Sequence, residues 1–241
     1  MKKQIAYIIG VFLGDGSISS DNRTFCLQTI DEDFADECLK SLLFLTKNNI
    51  KKVELKRHTT ANKKVYAIYC SDKVLCDMLM YKTLNRERLP KDFYSWNAEE
   101  QKELIAGLLD SEGYVSITRL HEYAGKKVYD MKIGIGACDE WVIELHKFCR
   151  DNNIITGCLS SELLKSGKIF RKFIFNKKSF IDNNLYFKIG RKQKRIQNYK
   201  IEFPGSTTTR RIPKTEETKN KISMFAKTRK RIDGKFVRVM I

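Results

Sequence analysis

Two stretches of the chain are apolar on nearly every side, not on one face only. They run from Ile5 to Leu13 and from Leu104 to Leu109, the pattern of helices buried all round. Neither approaches the ~20 residues that a membrane span needs. In full they read IIGVFLGDG at residues 8–16 and IAGLLDSEG at residues 105–113. Small residues recur at matched places, Gly10 with Gly107 and Gly14 with Ser111, and each copy closes on an acid and a glycine, Asp15-Gly16 and Glu112-Gly113. Positions four apart share a helix face, so these small residues allow another backbone to come close. The simplest partner is the other copy. Packed side by side, the two helices would bring Asp15 and Glu112 together at their ends.

The pattern after each copy repeats as well. Ser17–Ser20 and Thr24–Ile30 read as strands around the turn Ser20-Asp21-Asn22-Arg23. Asp31-Glu32-Asp33 then opens a helix to about Lys47, with Phe34, Cys38, Leu42 and Leu45 at helical spacing. Strands follow at Lys51–Arg57 and Val65–Cys70, and Ser71 or Asp72 caps a short helix to about Tyr81. In the second half the same order runs through strands Val115–Leu120 and Val128–Ile135 and a helix from Asp139 to about Asn153. Strands Ile155–Ser160 and Ile169–Phe175 follow, and a short helix opens at Asn176. The acids at 15 and 112 lie 97 residues apart, roughly the size of a small domain. This is an internal duplication, with a first unit at 1–84, a linker at 85–98 containing Pro90 and Phe93-Tyr94-Ser95-Trp96, and a second unit at 99–203.

The acids are badly placed for helix stability. A carboxylate in the last turn faces the negative end of the dipole and costs about 0.3–1 kcal/mol. Two converging acids that the helices do not favour form a candidate divalent-metal site. Composition points to the partner. Lys and Arg number 46 against 29 Asp and Glu, a net charge of +17, which implies a polyanion. In the expected strands, Lys52, Lys56 and Arg57, and Lys168, Arg171 and Lys172, alternate with apolar residues, so a basic sheet face could meet DNA. Seven cysteines, an odd number without a C-x-x-C pair, read as reduced core residues in a cytosol-like compartment. His58, His121 and His146 lack zinc spacing to a cysteine. Nothing at the N-terminus reads as a secretion signal, so a cytoplasmic or organellar-matrix protein is expected, not a secreted or membrane one.

Both apolar stretches resemble the LAGLIDADG motif of homing endonucleases, with its last acid at Asp15 and Glu112. Two copies in one chain are similar to the monomeric, pseudo-symmetric members of that family. The resemblance implies an α+β fold of two αββαββα units packed through their motif helices, with antiparallel sheets forming a saddle over double-stranded DNA. It implies a site-specific DNA endonuclease working with Mg2+. Mn2+ is an expected substitute, and Ca2+ is expected to support binding without cleavage. Asp15 and Glu112 would be metal ligands, joined by the carbonyls of Gly14 and Ser111. Asp110, two residues before Glu112, lies roughly 200° around the helix and should pair locally instead. The family also places a basic residue near each scissile phosphate. Lys82 is similar to that residue in the first half, and Lys188, with Lys192 one turn later, in the second.

From Pro204 the composition shifts to eleven Lys and Arg against three acids. Arg210-Arg211 sits in a basic connector, and KTEETKNKISMFAKTRKR at 214–231 resembles the short NUMOD-type DNA-binding helix appended to some homing endonucleases. Lys219, Lys221, Lys227 and Arg229 would then contact DNA, and 204–241 forms a basic tail. Two other functions share the fold: a maturase acting on group I intron RNA, and a DNA-binding regulator without chemistry. Retention of both acids argues against the regulator and against a pure maturase, but not against a dual role.

Overall fold

The computed structural model of the protein describes residues 3–55, 64–123, 126–202, 229–232 and 235–238. Residues 1–204 form one compact unit and 205–241 another. In the first unit the elements run α1 (Lys3–Leu13), β1 (Gly16–Ile18), β2 (Thr24–Thr29), α2 (Glu32–Leu45), β3 (Ile50–Leu55), β4 (Val65–Ser71) and α3 (Lys73–Thr83). A 3-10 turn at Phe93–Ser95 leads into α4 (Ala98–Glu112), β5 (Gly113–Tyr123), β6 (Lys126–Ala137), α5 (Trp141–Asp151), β7 (Ser160–Leu163), β8 (Ile169–Phe175), α6 (Lys177–Asp182) and α7 (Gly190–Glu202). The αββαββα order therefore occurs twice. Each half holds a four-stranded antiparallel sheet, and the strand orders match: β1-β2-β4-β3 and β5-β6-β8-β7.

Local chemistry sets the element ends. The Asp72 carboxylate accepts from Leu75 N–H at 3.0 Å and caps α3. Asn176 does the same for α6 through Ser179 N–H. Asn97 and Glu100 form a reciprocal capping box on α4. Each sheet packs its apolar face on the helices, burying Phe25, Leu27 and Ile68 in the first half and Ile133, Ile135, Phe173 and Phe175 in the second.

The motif helices form the centre. Residues Ala6 to Leu13 of α1 and Leu104 to Asp110 of α4 are all buried. A Cβ on Gly10 would run into the Leu104 carbonyl and lie 2.9 Å from Leu108 N. One on Gly107 would meet the Tyr7 carbonyl and lie 2.9 Å from Val11 N. Each glycine lets the other helix's backbone fill the place of its side chain, so the crossing is reciprocal.

Three details depart from the pattern-based expectation. The seventh strand lies at Ser160–Leu163, fully exposed, not at Ile155–Ser160. Its register is set by the tight turn from Leu164 to Lys168, with Gly167 at φ +80, while Thr156 makes only an isolated bridge to Phe175. Helix α7 is strongly polar, so the apolar pattern does not reveal it. In the second unit, Arg229–Ile232 and Lys235–Arg238 pair as an antiparallel hairpin. Residues 229–231 thus belong to a strand and not to the end of the expected DNA-binding helix. The remainder of that helix, with Arg210, Arg211, Lys219, Lys221 and Lys227, lies outside the described residues, as do Lys56 and Arg57. Four cysteines, Cys38, Cys70, Cys76 and Cys149, are buried and unpaired, whereas Cys158 is exposed. Among the described residues, no helix is long and apolar enough to cross a membrane.

Candidate active site

Glu112 is the last residue of α4, and Asp15 follows α1 by two residues. The close approach of the helices continues to these ends. A Cβ on Gly14 would collide with the Ser111 side chain and stand 3.2 Å from Glu112 Cγ. The two acids therefore sit in one electrostatic neighbourhood. Desolvation raises the Glu112 carboxyl to about 7, with the Asp15 charge adding to the rise, and Arg86 and Lys192 oppose it. Asp15 is more exposed; desolvation still lifts it above the usual carboxylate range against the pull of Lys192 and Arg86. Two carboxylates beside one another, one of them partly desolvated, favour any added cation.

The cations nearest in effect are Arg86 and Lys192, one from each half. Lys192, on the first turn of α7 and only 9% exposed, donates to the carbonyls of Leu109 at 3.0 Å and Asp110 at 2.7 Å. Burial pulls its ammonium below the usual lysine range, and the Asp110 charge partly restores it. The Arg86 guanidinium donates to the Gly14 carbonyl and lies 6.0 Å from the centre of the Phe12 ring. No sequence pattern marks Arg86. Its only signal is position, a basic residue just after the last helix of its half, as Lys188 and Lys192 are in theirs.

The chain works to hold Arg86 there. Leu84, Asn85 and Arg86 form a consecutive run in the left-handed region, at φ 47, 56 and 76, which costs non-glycine residues conformational energy. The run is pinned at both ends. Asn85 N–H donates to Met80 O, Arg86 N–H to the Thr83 hydroxyl and Arg88 N–H to Thr83 O. From the second half, Trp141 N–H donates to Glu87 O. The Glu144 carboxylate holds Arg88 and Leu89 N–H.

The other expected site residues are placed differently. Lys82 is paired with Asp92 at 2.8 Å and stands 5.9 Å from the Trp96 ring centre. Lys188 is enclosed by Glu103 at 2.8 Å and Glu37 at 3.2 Å, over the Tyr7 ring. Of the two lysines considered for the second half, Lys192 is therefore the one that acts on both acids. Asp110 is 2% exposed and points away from the pair. It accepts from Tyr7 O–H of the facing helix at 2.8 Å and from Ile189 N–H at 3.3 Å, and burial raises its carboxyl to about 7. Asp110 therefore keeps apart from the acid pair as expected, but it pairs across the helix crossing and not locally.

The sheet faces also need one correction. Lys52 pairs in register with Ile68, which shares the buried face with Phe25 and Leu27. Its ammonium is taken by Asp36 and Glu32 of α2, so it belongs to the helix-covered side. Lys51 occupies the open side. Arg171 likewise turns to Glu140 and the Cys138 carbonyl. Lys172 does lie on the open face, opposite Gly136, and exposed Lys132, two positions along from Gly134, shares that face. Lys168 sits in the β7–β8 turn.

Among the described residues, no group of three or more His, Cys, Asp or Glu side chains is placed to hold a metal. The donor set at the helix ends is two carboxylates and backbone carbonyls, all hard oxygens, which suits magnesium- or calcium-like ions.

Comparison with known proteins bears on the fold. The chain is 30% identical over 122 residues to the uncharacterized protein MJ0398 of Methanocaldococcus jannaschii, covering 48% of this chain and 41% of that protein, so it spans about two fifths of that curated relative's length. The full-length DUF199/WhiA structure from Thermatoga maritima matches with a TM-score of 0.53 at 16% identity, over 94% of this chain and 67% of that one. The homing endonuclease I-WcaI bound to its DNA recognition sequence matches with a TM-score of 0.53 at 15% identity, over 81% and 86%. These two likenesses establish the fold. Residues 2–82, about a third of the chain, match the family model described as a LAGLIDADG-like domain, and the match ends one residue short of the end of α3.

Proposed function

We propose that the protein is a divalent-metal-dependent endonuclease that cuts double-stranded DNA at a long, specific site, a homing endonuclease acting as a monomer. The observation that carries this reading is the convergence of Asp15 and Glu112 at the paired helix ends, where mutual charge and desolvation hold Glu112 near neutrality. Structures that resemble the chain include a homing endonuclease bound to DNA. The net charge of +17 and the exposed Lys51, Lys132 and Lys172 on the open sheet faces fit a polyanionic partner.

Asp15, Glu112 and the carbonyls of Gly14 and Ser111 would hold Mg2+. The bound ion would supply an acidified water and charge neutralisation for phosphodiester hydrolysis. Arg86 and Lys192 place positive charge where the phosphate's negative charge grows. The buried Asp110 and Tyr7 keep the segment that carries Lys192 against the end of α4.

The test is a cleavage selection on a library of duplexes, run with Mg2+ and again with Ca2+, with Glu112→Gln as the control. The expected outcome is cutting at one long sequence with Mg2+ alone, lost in the variant. A second reading is a DNA-binding protein without chemistry. It is favoured by the Arg86 guanidinium on the Gly14 carbonyl, which fills with a side chain an oxygen that the metal would use. Selective binding with no cutting in either metal would establish that reading, and preference for intron RNA over every duplex would establish a maturase.

A further inference from the structure

The two motif helices both end against a cation, but the cations sit at different depths. Lys192 takes the carbonyls of Leu109 and Asp110 and leaves the carbonyl of Ser111 to the site. Arg86 takes the carbonyl of Gly14 itself, the residue directly before the acid. An arginine at a helix end ordinarily satisfies an orphan carbonyl, but two further features exceed that role. The three-residue left-handed run that delivers Arg86 is held under strain by hydrogen bonds from both halves. The Arg86 Nε–H is also buried without a partner, an unsatisfied donor that native proteins rarely leave without reason. With a terminal NH2 group, that donor forms an edge shaped for two oxygens of a phosphate or carboxylate.

We propose, on the basis of the endonuclease reading, that Arg86 is a resident counter-cation of the site. Its guanidinium holds the Gly14 carbonyl while no metal is bound, yields that oxygen to the arriving divalent ion, and on release turns its enclosed Nε–H edge out to a DNA phosphate. The first-half ligand set is thereby closed and the second-half set open, so the two ends of the pair differ in their readiness to accept an ion. Charge alone does not account for the arrangement, because Lys192 brings the same charge to bear on both acids without covering a ligand oxygen.

Calorimetric titration of CaCl2 into the full chain tests the proposal without any cleavage step. Arg86→Gly removes the guanidinium and suits the left-handed backbone at φ 76, so this variant keeps its fold; thermal melting verifies that. The expected result is Ca2+ binding tightened about tenfold, a typical coupling between competing occupants. Lys192→Met, which removes an equal charge, should tighten it by no more than about threefold on the same scale. Arg86→Lys keeps the charge but loses the fork, and should fall between wild type and Arg86→Gly. With a selected duplex present in Ca2+, Arg86→Gly should bind DNA more weakly than wild type. Equal gains in Arg86→Gly and Lys192→Met, or an Arg86→Lys protein identical to wild type, would reduce Arg86 to a general field and overturn the proposal. Ca2+ binding that is lost in Glu112→Gln yet indifferent to Arg86 would overturn it while leaving the nuclease reading intact. No Ca2+ binding by any of the proteins would sink both.

Discussion

Where α1 and α4 cross, the two halves of the molecule are interchangeable. Gly10 and Gly107 each admit the other helix's backbone, and neither could carry a side chain. A turn to either side of that contact, the halves part company. The position of Leu13 in the first copy is taken by Asp110 in the second, Gly14 by Ser111, and Tyr7 by Leu104. Through these exchanges a buried carboxyl and a phenol meet across the crossing on one side only. The cations differ too: an arginine on a strained linker in one half, a desolvated lysine on α7 in the other. Backbone packing demands symmetry because both helices must approach to the same distance. The chemistry around the acids is free of that demand, and there the duplicated halves have diverged.

The comparison breaks first on the acids. Asp15→Asn and Glu112→Gln should each lower the cleavage rate on a selected duplex by about a thousandfold, roughly 4 kcal/mol of transition-state stabilisation. A large loss in one and a small loss in the other, measured as initial rates at saturating Mg2+, would mean that the halves are unequal in catalysis and not only in surroundings. Next come the glycines. Gly10→Leu and Gly107→Leu should each cost about 3 kcal/mol or more in urea unfolding, since the collisions are with backbone that cannot yield. Unequal costs would show that the crossing itself is asymmetric.

The buried carboxyl gives a pH test of the same asymmetry. Asp110 titrates at about 7 in the folded chain, above its unfolded value, so folding takes up a proton between those pH values. Its contribution to stability is therefore largest at low pH and is lost as pH rises toward 7. The slope is on the order of 1 kcal/mol per pH unit in that window. Asp110→Asn should reduce the slope in denaturant titrations between about pH 4 and 7, leaving the share that Glu112, also raised to about 7, contributes, and an unchanged slope would remove Asp110 as a source. Cleavage should run the other way, rising with pH through about 7 as Glu112 ionises. The smallest expected effects separate the two sides of the sheets. Lys172→Ala should lower the salt slope of DNA binding by about 0.9, the loss of one phosphate contact. Lys52→Ala, whose charge is already taken by Asp36 and Glu32, should leave that slope unchanged.

Most of the fold was legible because period and punctuation agreed. The runs around Gly10 and Gly107 had no polar face, the Asp72 and Asn176 caps stood where a helix must start, and the second half repeated the first. The exceptions were segments whose form depends on a distant partner. Ile155–Ser160 has the apolar content of a strand, yet the tight turn at Gly167 sets the pairing five residues later. The face of Lys52 could not be told from alternation alone, because period two separates two faces without naming the buried one. The register against Ile68 and the acids of α2 decide that.

The candidate site divides in the same way. The sequence by itself determined that two buried helices would pair through their small residues and carry Asp15 and Glu112 to a common end, since those positions follow from local helical geometry. Its net charge of +17 also set the expectation of a strongly anionic partner. Only the tertiary structure decided which cations attend the acids. Lys82 lies in the last turn of α3 and Arg86 just after it, Lys188 just before α7 and Lys192 in its first turn, and nothing local distinguishes them. Asp92 takes the first, and Glu37 and Glu103 the second. The strained linker and the first turn of α7 deliver the other two, because long flexible side chains go where the assembled charges and unsatisfied carbonyls draw them.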